Sequence, residues 1–218
     1  MQYKYPLIYE DDFGKEQTTC ITNGNMLRTT IRGVYFQAHS FNTFEVNEAD
    51  LESNPPQFSL RDDMLSGIFK LDIPSQVIQK DEVDSAMLHL QFDYTEGNHL
   101  YAALNYGGIS YSSGNHFEDT ESLLLHIQGL LPEGAKFRNC LSCKFSNYHP
   151  IGNNDFGSLF CLKAIDKSIL TGIKDKDSLL DVLDNRLFRY EIEQVQETHS
   201  CPKHQLTHSG SWSYKSYQ

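Results

Sequence analysis

Strict alternation of apolar and polar residues over Ala86–Tyr94 constrains the fold more than any other feature of the sequence. In AMLHLQFDY, Leu88, Leu90 and Phe92 alternate with polar residues, which is the period of a strand with one buried face. The turn-forming stretch TEGN follows, and HLYAALNY then repeats the alternation. The two segments therefore predict an antiparallel β-hairpin.

Residues 1–115 extend this β pattern. The stretch 26–46 is rich in Thr, Ile, Val, Tyr and Phe, which favours two or three strands. Residues 67–79 are strand-like with Pro74 as a break or bulge, and residues 107–115 read as a short edge strand between glycines. Several short strands at close spacing predict a β-sandwich or a strongly curved sheet.

The period changes at residue 117. FEDTESLLLHIQGLLPEG places acids at its start and leucines on one side, which predicts an amphipathic helix capped near Asp119 or Thr120. The residues beyond it predict a strand over 158–165, a helix over 175–185 and a strand over 189–198. We therefore expect an α+β fold, in which an N-terminal antiparallel β-rich region (1–115) precedes a smaller α/β region (116–206) and a mobile tail (207–218).

The cysteine usage indicates a reducing compartment. Five cysteines are present, and the N-terminus MQYKYPLIYEDD lacks the apolar stretch of a secretion signal. Cysteines clustered in a cytoplasmic protein are typical of metal ligands or redox groups rather than disulfides. Cys20 lies far from the others in sequence and is expected to be a small buried hydrophobe.

Four cysteines in the last 80 residues have the number and spacing of a tetrahedral zinc site. Cys140 and Cys143 form a C-x-x-C pair, Cys161 follows, and Cys201 opens a second short turn, CPKH, that ends at His204. Two ligand sets compete: the four cysteines, or Cys140, Cys143 and Cys201 with His204. We prefer the all-cysteine set, because a buried strand over 158–165 would place Cys161 beside the first pair.

Such a site would be structural, because four thiolates close the coordination sphere of zinc. The sequence contains no H-E-x-x-H, no zinc-deaminase signature, no P-loop and no G-x-S-x-G. Buried unliganded thiols, an iron–sulfur centre and a redox pair remain alternatives for the cluster. A thioredoxin-type pair opens a helix, whereas the turn-rich KFSNYHPIGNNDFG follows this one.

The net charge of −11 is concentrated in the first half of the chain. Residues 1–115 hold 16 acidic and 7 basic residues, whereas residues 116–218 hold 13 and 11. This balance argues against nucleic acid and membrane surfaces as partners and is compatible with a basic protein partner. Solubility alone is the alternative explanation of the same charge, and net charge by itself favours it. The candidate contacts are three groups of acids: Glu10, Asp11 and Asp12; Glu48, Asp50 and Glu52; Asp81, Glu82 and Asp84.

The cysteine segment carries a longer motif, C-x-x-C-K-x-S-x-Y-x-P-x-G-x-x-x-F-G-x-L-x-C, followed by VQETHSC. Its residues are Cys140, Cys143, Lys144, Ser146, Tyr148, Pro150, Gly152, Phe156, Gly157, Leu159 and Cys161, then Val195, Gln196, Glu197 and Cys201. Over residues 121–204 the chain resembles an uncharacterised bacterial family, a domain of unknown function. The resemblance implies a cytoplasmic bacterial protein of the kind found near secreted toxins, and it implies no activity.

These observations favour a non-enzymatic binding protein, whose most concrete form is a toxin-neutralising immunity protein with a structural zinc site. The alternative is a metalloenzyme or redox protein that uses the cysteine cluster. An open coordination position beside an acid or a histidine would favour the alternative, and four closed thiolates would favour the binding protein.

Overall fold

A computed structural model describes residues 2–45, 57–151, 155–187 and 192–207. The strands are β1 (Tyr3–Asp11), β2 (Gly14–Thr22), β3 (Leu27–Ile31), β4 (Val34–Ala38), β5 (Leu60–Arg61), β6 (Met64–Leu65), β7 (Ile68–Gln79), β8 (Glu82–Asp93), β9 (His99–Tyr106), β10 (Ile109–Ser112), β11 (Lys136–Phe137), β12 (Ser146–Tyr148), β13 (Leu159–Cys161) and β14 (Glu193–Val195). The helices are a 3-10 turn (Phe41–Thr43), α1 (Thr120–Leu130), α2 (Lys167–Leu170) and α3 (Lys176–Leu187). The prediction of a β-rich α+β chain is confirmed.

The main sheet is antiparallel, with strand order β10-β9-β8-β7-β1-β2-β3-β4, and β11 pairs with β7 beyond the end of β1. The predicted hairpin is part of this sheet: β8 and β9 pair with Leu88 opposite Leu104 and Phe92 opposite Leu100. Two smaller sheets, β5-β6 and β12-β13-β14, lie outside this path. Consecutive strands in the main sheet are thus joined as hairpins for most of its width.

The prediction that Pro74 breaks the strand over 67–79 is wrong. Strand β7 runs unbroken through Pro74, which lies opposite Met87 of β8. The pairing of β7 with β1 ends at Leu71, so Pro74 lies on a stretch where β1 no longer flanks the strand. A proline is tolerated on such an edge because its missing N–H removes no ladder bond there.

The main sheet is strongly curled around an aromatic core. Four strand spacings of about 4.8 Å separate β7 from β4 along the sheet. A single ring, that of Phe44, nevertheless packs on both Phe36 of β4 and Phe69 of β7, with ring centroids 5.6 and 6.1 Å apart. Phe41 joins the same cluster through Phe69 and Phe92. Of the two architectures expected for this region, a curved sheet is the one observed.

Helix α1 and the cysteine segment close the concave side of the sheet. The predicted helix is confirmed, with the Asp119 carboxylate accepting from the Ser122 N–H as its N-cap. Its buried leucines share one continuous core with the strands and with Cys140, Tyr148 and Phe156. The predicted boundary at residues 115 and 116 therefore separates segments that share a core.

The remaining segments form a second, smaller cluster. Leu179 and Leu183 of α3 pack there with Phe160 and Leu162. The helix expected over 175–185 is confirmed, whereas the strand expected over 158–165 is limited to β13. The strand expected over 189–198 is seen as β14, and its first residues lie outside the described residues, as do residues 208–218 of the expected tail. Across the described ranges, every helix is too short or too polar to cross a membrane.

Candidate functional site

The C-x-x-C pair lies on a tight turn. The N–H of Cys143 donates to the carbonyl of Cys140 at 3.2 Å, and the N–H of Ser146 donates to the carbonyl of Cys143 at 3.3 Å. The Ser146 hydroxyl lies within hydrogen-bond reach of both of these carbonyl oxygens, and its single proton can be donated to one of them at a time. Ser146 is buried, and its hydroxyl finds an acceptor within the turn itself, as a buried polar group requires. This turn is the local structure that lets two residues between thiols direct both toward one ion.

Two further chain segments bind to this turn and bring the other cysteines to it. Strand pairing places Cys161 of β13 opposite Ser146 of β12. The segment that contains Cys201 runs alongside, because the His199 carbonyl accepts from the Cys140 N–H at 3.0 Å and the Gln205 carbonyl accepts from the Lys144 N–H at 2.8 Å. The backbone therefore gathers all four predicted cysteines into one region, which we call the knuckle (residues 140–146, 159–163 and 199–206).

The thiols differ in exposure. Cys140 and Cys143 are buried, whereas Cys161 and Cys201 are partly exposed. Burial raises the pKa of the Cys161 thiol, and the nearby thiols of Cys143 and Cys201 raise it further. Among the described residues, no three His, Cys, Asp or Glu side chains form a ready-made metal-binding group. The thiols thus interact electrostatically without sharing one centre.

The alternative ligand, His204, belongs to the knuckle and contacts the C-x-x-C turn. Its Nε2 atom lies 2.8 Å from the Ser142 hydroxyl, inside the C-x-x-C turn. Both ligand sets proposed from the sequence are therefore adjacent to the turn, and the choice between Cys161 and His204 stays open. Cys20 lies on β2 within the main core, where burial raises the pKa of its thiol to about 12 and keeps it neutral.

A buried carboxylate that sequence reasoning did not single out lies behind the knuckle. Glu197 is fully buried, and its carboxylate accepts from the Tyr148 hydroxyl at 3.2 Å and from the Gly157 N–H at 2.8 Å. Burial raises the pKa of Glu197 to about 8, although these hydrogen bonds oppose the shift. Glu121 of α1 is also buried, and its charge contributes to the raised pKa of Tyr148 after burial and Glu197. The one sequence signal for Glu197 was its place in VQETHSC.

We expect Glu197 to make the stability of the protein depend on pH. Its pKa is raised from 4.5 to about 8, so its contribution is complete below about pH 4.5 and is lost as the pH rises toward about 8. The free energy of unfolding, measured with urea, should therefore fall by about 3 kcal/mol more in the parent than in Glu197→Gln between about pH 5 and 7.5.

The glutamine variant is a matched control because its side chain stays neutral. Other titrations, such as that of His199, whose pKa burial lowers, are common to both proteins and cancel in the comparison. Parallel stability curves for the two proteins would show that Glu197 does not change its protonation state on folding.

The three predicted acidic groups have different surroundings. Asp11 is turned inward, where its carboxylate is fully buried and lies 2.5 Å from Arg32. Its neighbours Glu10 and Asp12 contact Lys70 and Ser59. The carboxylates of this first group are thus partly engaged in contacts within the protein. The sequence could not show this, because Arg32 lies two strands away from Asp11 in the sheet.

Of the other two acidic groups, the structure describes one. Glu48, Asp50 and Glu52 lie outside the described residues. The third group, Asp81, Glu82 and Asp84, lies at the tip of the β7–β8 hairpin and is exposed. Within the described ranges, none of these three carboxylates forms an ion pair. We call this group the acidic tip.

Comparison with known proteins gives one match. A family model described as a family of unknown function (DUF6304) matches residues 3–146. No curated protein and no solved structure matches the chain. The expectation of an uncharacterised family is confirmed, and the match includes the β-rich half, which the resemblance over residues 121–204 did not. The motif itself stays a prediction, and its part beyond Ser146 lies outside the match.

Proposed function

This chain belongs to the Family of unknown function (DUF6304), and we propose that it is a non-enzymatic binding protein that recognises a basic protein partner. The observation that carries the proposal is the acidic tip. Three exposed carboxylates project from the end of a hairpin whose two strands have twelve residues each, and none is neutralised by a described basic side chain. A field of one sign at an exposed edge accelerates encounter with a partner of the opposite sign.

The distribution of charge along the chain supports the same proposal. The excess of acids lies in residues 1–115, which form most of the curled sheet. Asp11 is buried against Arg32, and the acids left at the surface give the sheet its negative field. The most concrete form of this function is that of an immunity protein, which neutralises a basic toxin by occupying the toxin's cationic surface.

The proposal assigns a structural role to the knuckle. One zinc ion would be held by Cys140, Cys143, Cys161 and Cys201, with His204 as the alternative to Cys161. The support is that backbone hydrogen bonds and strand pairing already join the three segments that carry these residues, and that thiols at this spacing are the donors zinc prefers. Zinc bound there would link segments far apart in sequence and so stabilise the fold.

Reversing the acidic tip to lysine (Asp81, Glu82 and Asp84 together) is expected to slow association with the partner by about ten-fold or more, because charge steering acts on the association rate. The parent protein, immobilised, would first capture partners from the lysate and secreted fraction of the source cell. The association rate of the captured protein would then be measured for both proteins at two salt concentrations, since screening weakens the steering in the parent.

The matched control reverses three exposed acids of α3: Asp177, Asp181 and Asp184. It leaves Asp175 unchanged, because the Asp175 carboxylate caps the helix by accepting from the Ser178 N–H at 2.9 Å. Equal slowing by the two triple reversals would remove the acidic tip from the interface. Failure of the parent to retain any basic protein would contradict the proposed function.

A further inference from the structure

Beside the acidic tip, at the same end of the sheet, lies a groove, and we propose that it receives a lysine or arginine side chain of the partner. The inference rests on the proposed function and names the chemistry that the partner presents. The groove has a volume of about 470 Å³ and is lined by Gln79, Asp84, Tyr106, Ile109, Tyr111 and Pro132, among others. None of the described residues that line it is basic.

The residues that line the groove lie beside two tight turns and the end of a helix. The β7–β8 turn carries Lys80 and Asp81, and the β9–β10 turn carries Gly107 and Gly108, all with positive φ, as two-residue hairpin turns require. Helix α1 ends at Leu130, close to Pro132. The carboxyl end of a helix carries a partial negative charge, which adds to the field of the carboxylates.

One acceptor oxygen in the groove is available to a further hydrogen-bond donor. The Tyr106 hydroxyl lies 3.3 Å from Asp84 Oδ2 and 3.3 Å from Gln79 Oε1. A phenol has a single proton, so it can satisfy one of these two oxygens at a time. The other oxygen remains able to accept from a donor that enters the groove.

Two carboxylates, those of Asp84 and Glu82, place negative charge near Tyr106. Burial raises the pKa of the Tyr106 phenol, and the charges of Asp84 and Glu82 raise it further, as does the neighbouring Tyr111. These four side chains therefore lie within electrostatic range of one another. The Asp84 carboxylate and the two tyrosine rings that line the groove match a cationic side chain, since a cation binds carboxylates and aromatic faces alike.

The apolar part of the lining selects the length of the occupant. Ile109, which lines the groove, is 57 % exposed and so offers apolar surface to an occupant. Lysine and arginine carry a long aliphatic stem that packs on such surface while the charged end binds polar groups. An anion would be repelled by Asp84, and an apolar side chain would leave the spare acceptor unpaired.

The groove can be tested with short peptides by NMR, without the natural partner. The probe is acetyl-Gly-Gly-Lys-Gly-Gly-amide, with its arginine analogue, and the uncharged control replaces lysine by norleucine. We expect the lysine and arginine peptides to shift the signals of Tyr106, Tyr111 and Asp84 with a Kd on the order of millimolar at low salt. The norleucine peptide should leave them unchanged.

Asp84→Asn should weaken binding of the lysine peptide by about five-fold or more, whereas Asp177→Asn on α3 should leave it unchanged. The proposed binding in the groove would be contradicted if no signals shifted. It would also be contradicted if the shifts were spread over the acidic surface and did not change with Asp84→Asn. If the peptides do not bind in the groove while reversal of the acidic tip still slows association with a captured partner, the groove proposal is wrong and the proposed function stands. If the peptides bind in the groove but the protein retains no basic partner, the proposed function is contradicted and the groove remains a binding site for a cationic side chain.

Discussion

Cys143→Ser is expected to lower the melting temperature by at least about 10 °C and to deplete the zinc of the purified protein, which should hold about one equivalent per chain. A lost ligand uncouples metal binding from folding, and structural zinc contributes on the order of 10 kcal/mol in small modules. In a domain of this size about 1 kcal/mol corresponds to 2–4 °C. Thermal unfolding with and without a chelator, together with elemental analysis, would measure both effects.

Cys20→Ser is the matched control, because Cys20 and Cys143 are both buried, at 0 % and 6 % exposure. Each variant buries a hydroxyl where a thiol stood, which costs about 1–3 kcal/mol, so the difference between them isolates the metal. Chelator should destabilise the parent and Cys20→Ser but not Cys143→Ser. Equal melting temperatures for the two variants, or under about a tenth of an equivalent of any metal in the parent, would show that the ligand assignment is wrong.

Gly157→Ala is expected to cost more than about 4 kcal/mol of unfolding free energy, measured with urea. Gly157 has φ +84°, and a Cβ atom there would lie 2.3 Å from the carbonyl oxygen of His39. That oxygen belongs to the backbone and cannot rotate away. The displacement would also disturb the N–H that Gly157 donates to the buried Glu197, so a steric and a polar penalty add.

Gly134→Ala separates the clash from the cost of backbone conformation. Gly134 has φ +76°, and a Cβ atom there would meet nothing within 4 Å. It should therefore cost only about 1 kcal/mol, the penalty of a left-handed alanine. If the two variants lose the same stability, the approach of Gly157 to His39 is not tight in solution.

Local patterns predicted the elements whose structure depends on local chemistry. The alternation around Leu88 and Leu90 was sufficient for the β8–β9 hairpin, because side-chain period alone distinguishes a half-buried strand. The start of α1 at Thr120 followed from Asp119, whose carboxylate caps the helix. The unbroken strand through Pro74 was missed, because whether a proline interrupts a sheet depends on which neighbour flanks it.

Long-range partners could not be predicted from the sequence. Glutamate is usually found at the surface, so residue type alone gives no reason to expect that Glu197 is buried. Its contacts with Tyr148 and Gly157 and its raised pKa appear only in the structure. The same holds for Asp11, whose burial depends on Arg32. For the candidate metal site, cysteine spacing identified the residues, whereas the contact of the 199–206 segment with the C-x-x-C turn needed the structure.

The contact between the segment around residues 196–200 and the first strands has a consequence for the order of folding. The Gln196 N–H donates to the carbonyl of Gly24 at 2.7 Å, and the Tyr3 hydroxyl donates to the carbonyl of Ser200 at 3.3 Å. These pairs are separated by more than 170 residues, and such non-local contacts slow folding because a long loop must close before they form. During synthesis, the β2–β3 turn at Gly24 therefore lacks its partner until the ribosome has released residues 196–200. Over that interval the surface of the early strands that the later segment covers stays exposed, which favours association of the nascent chain with other chains.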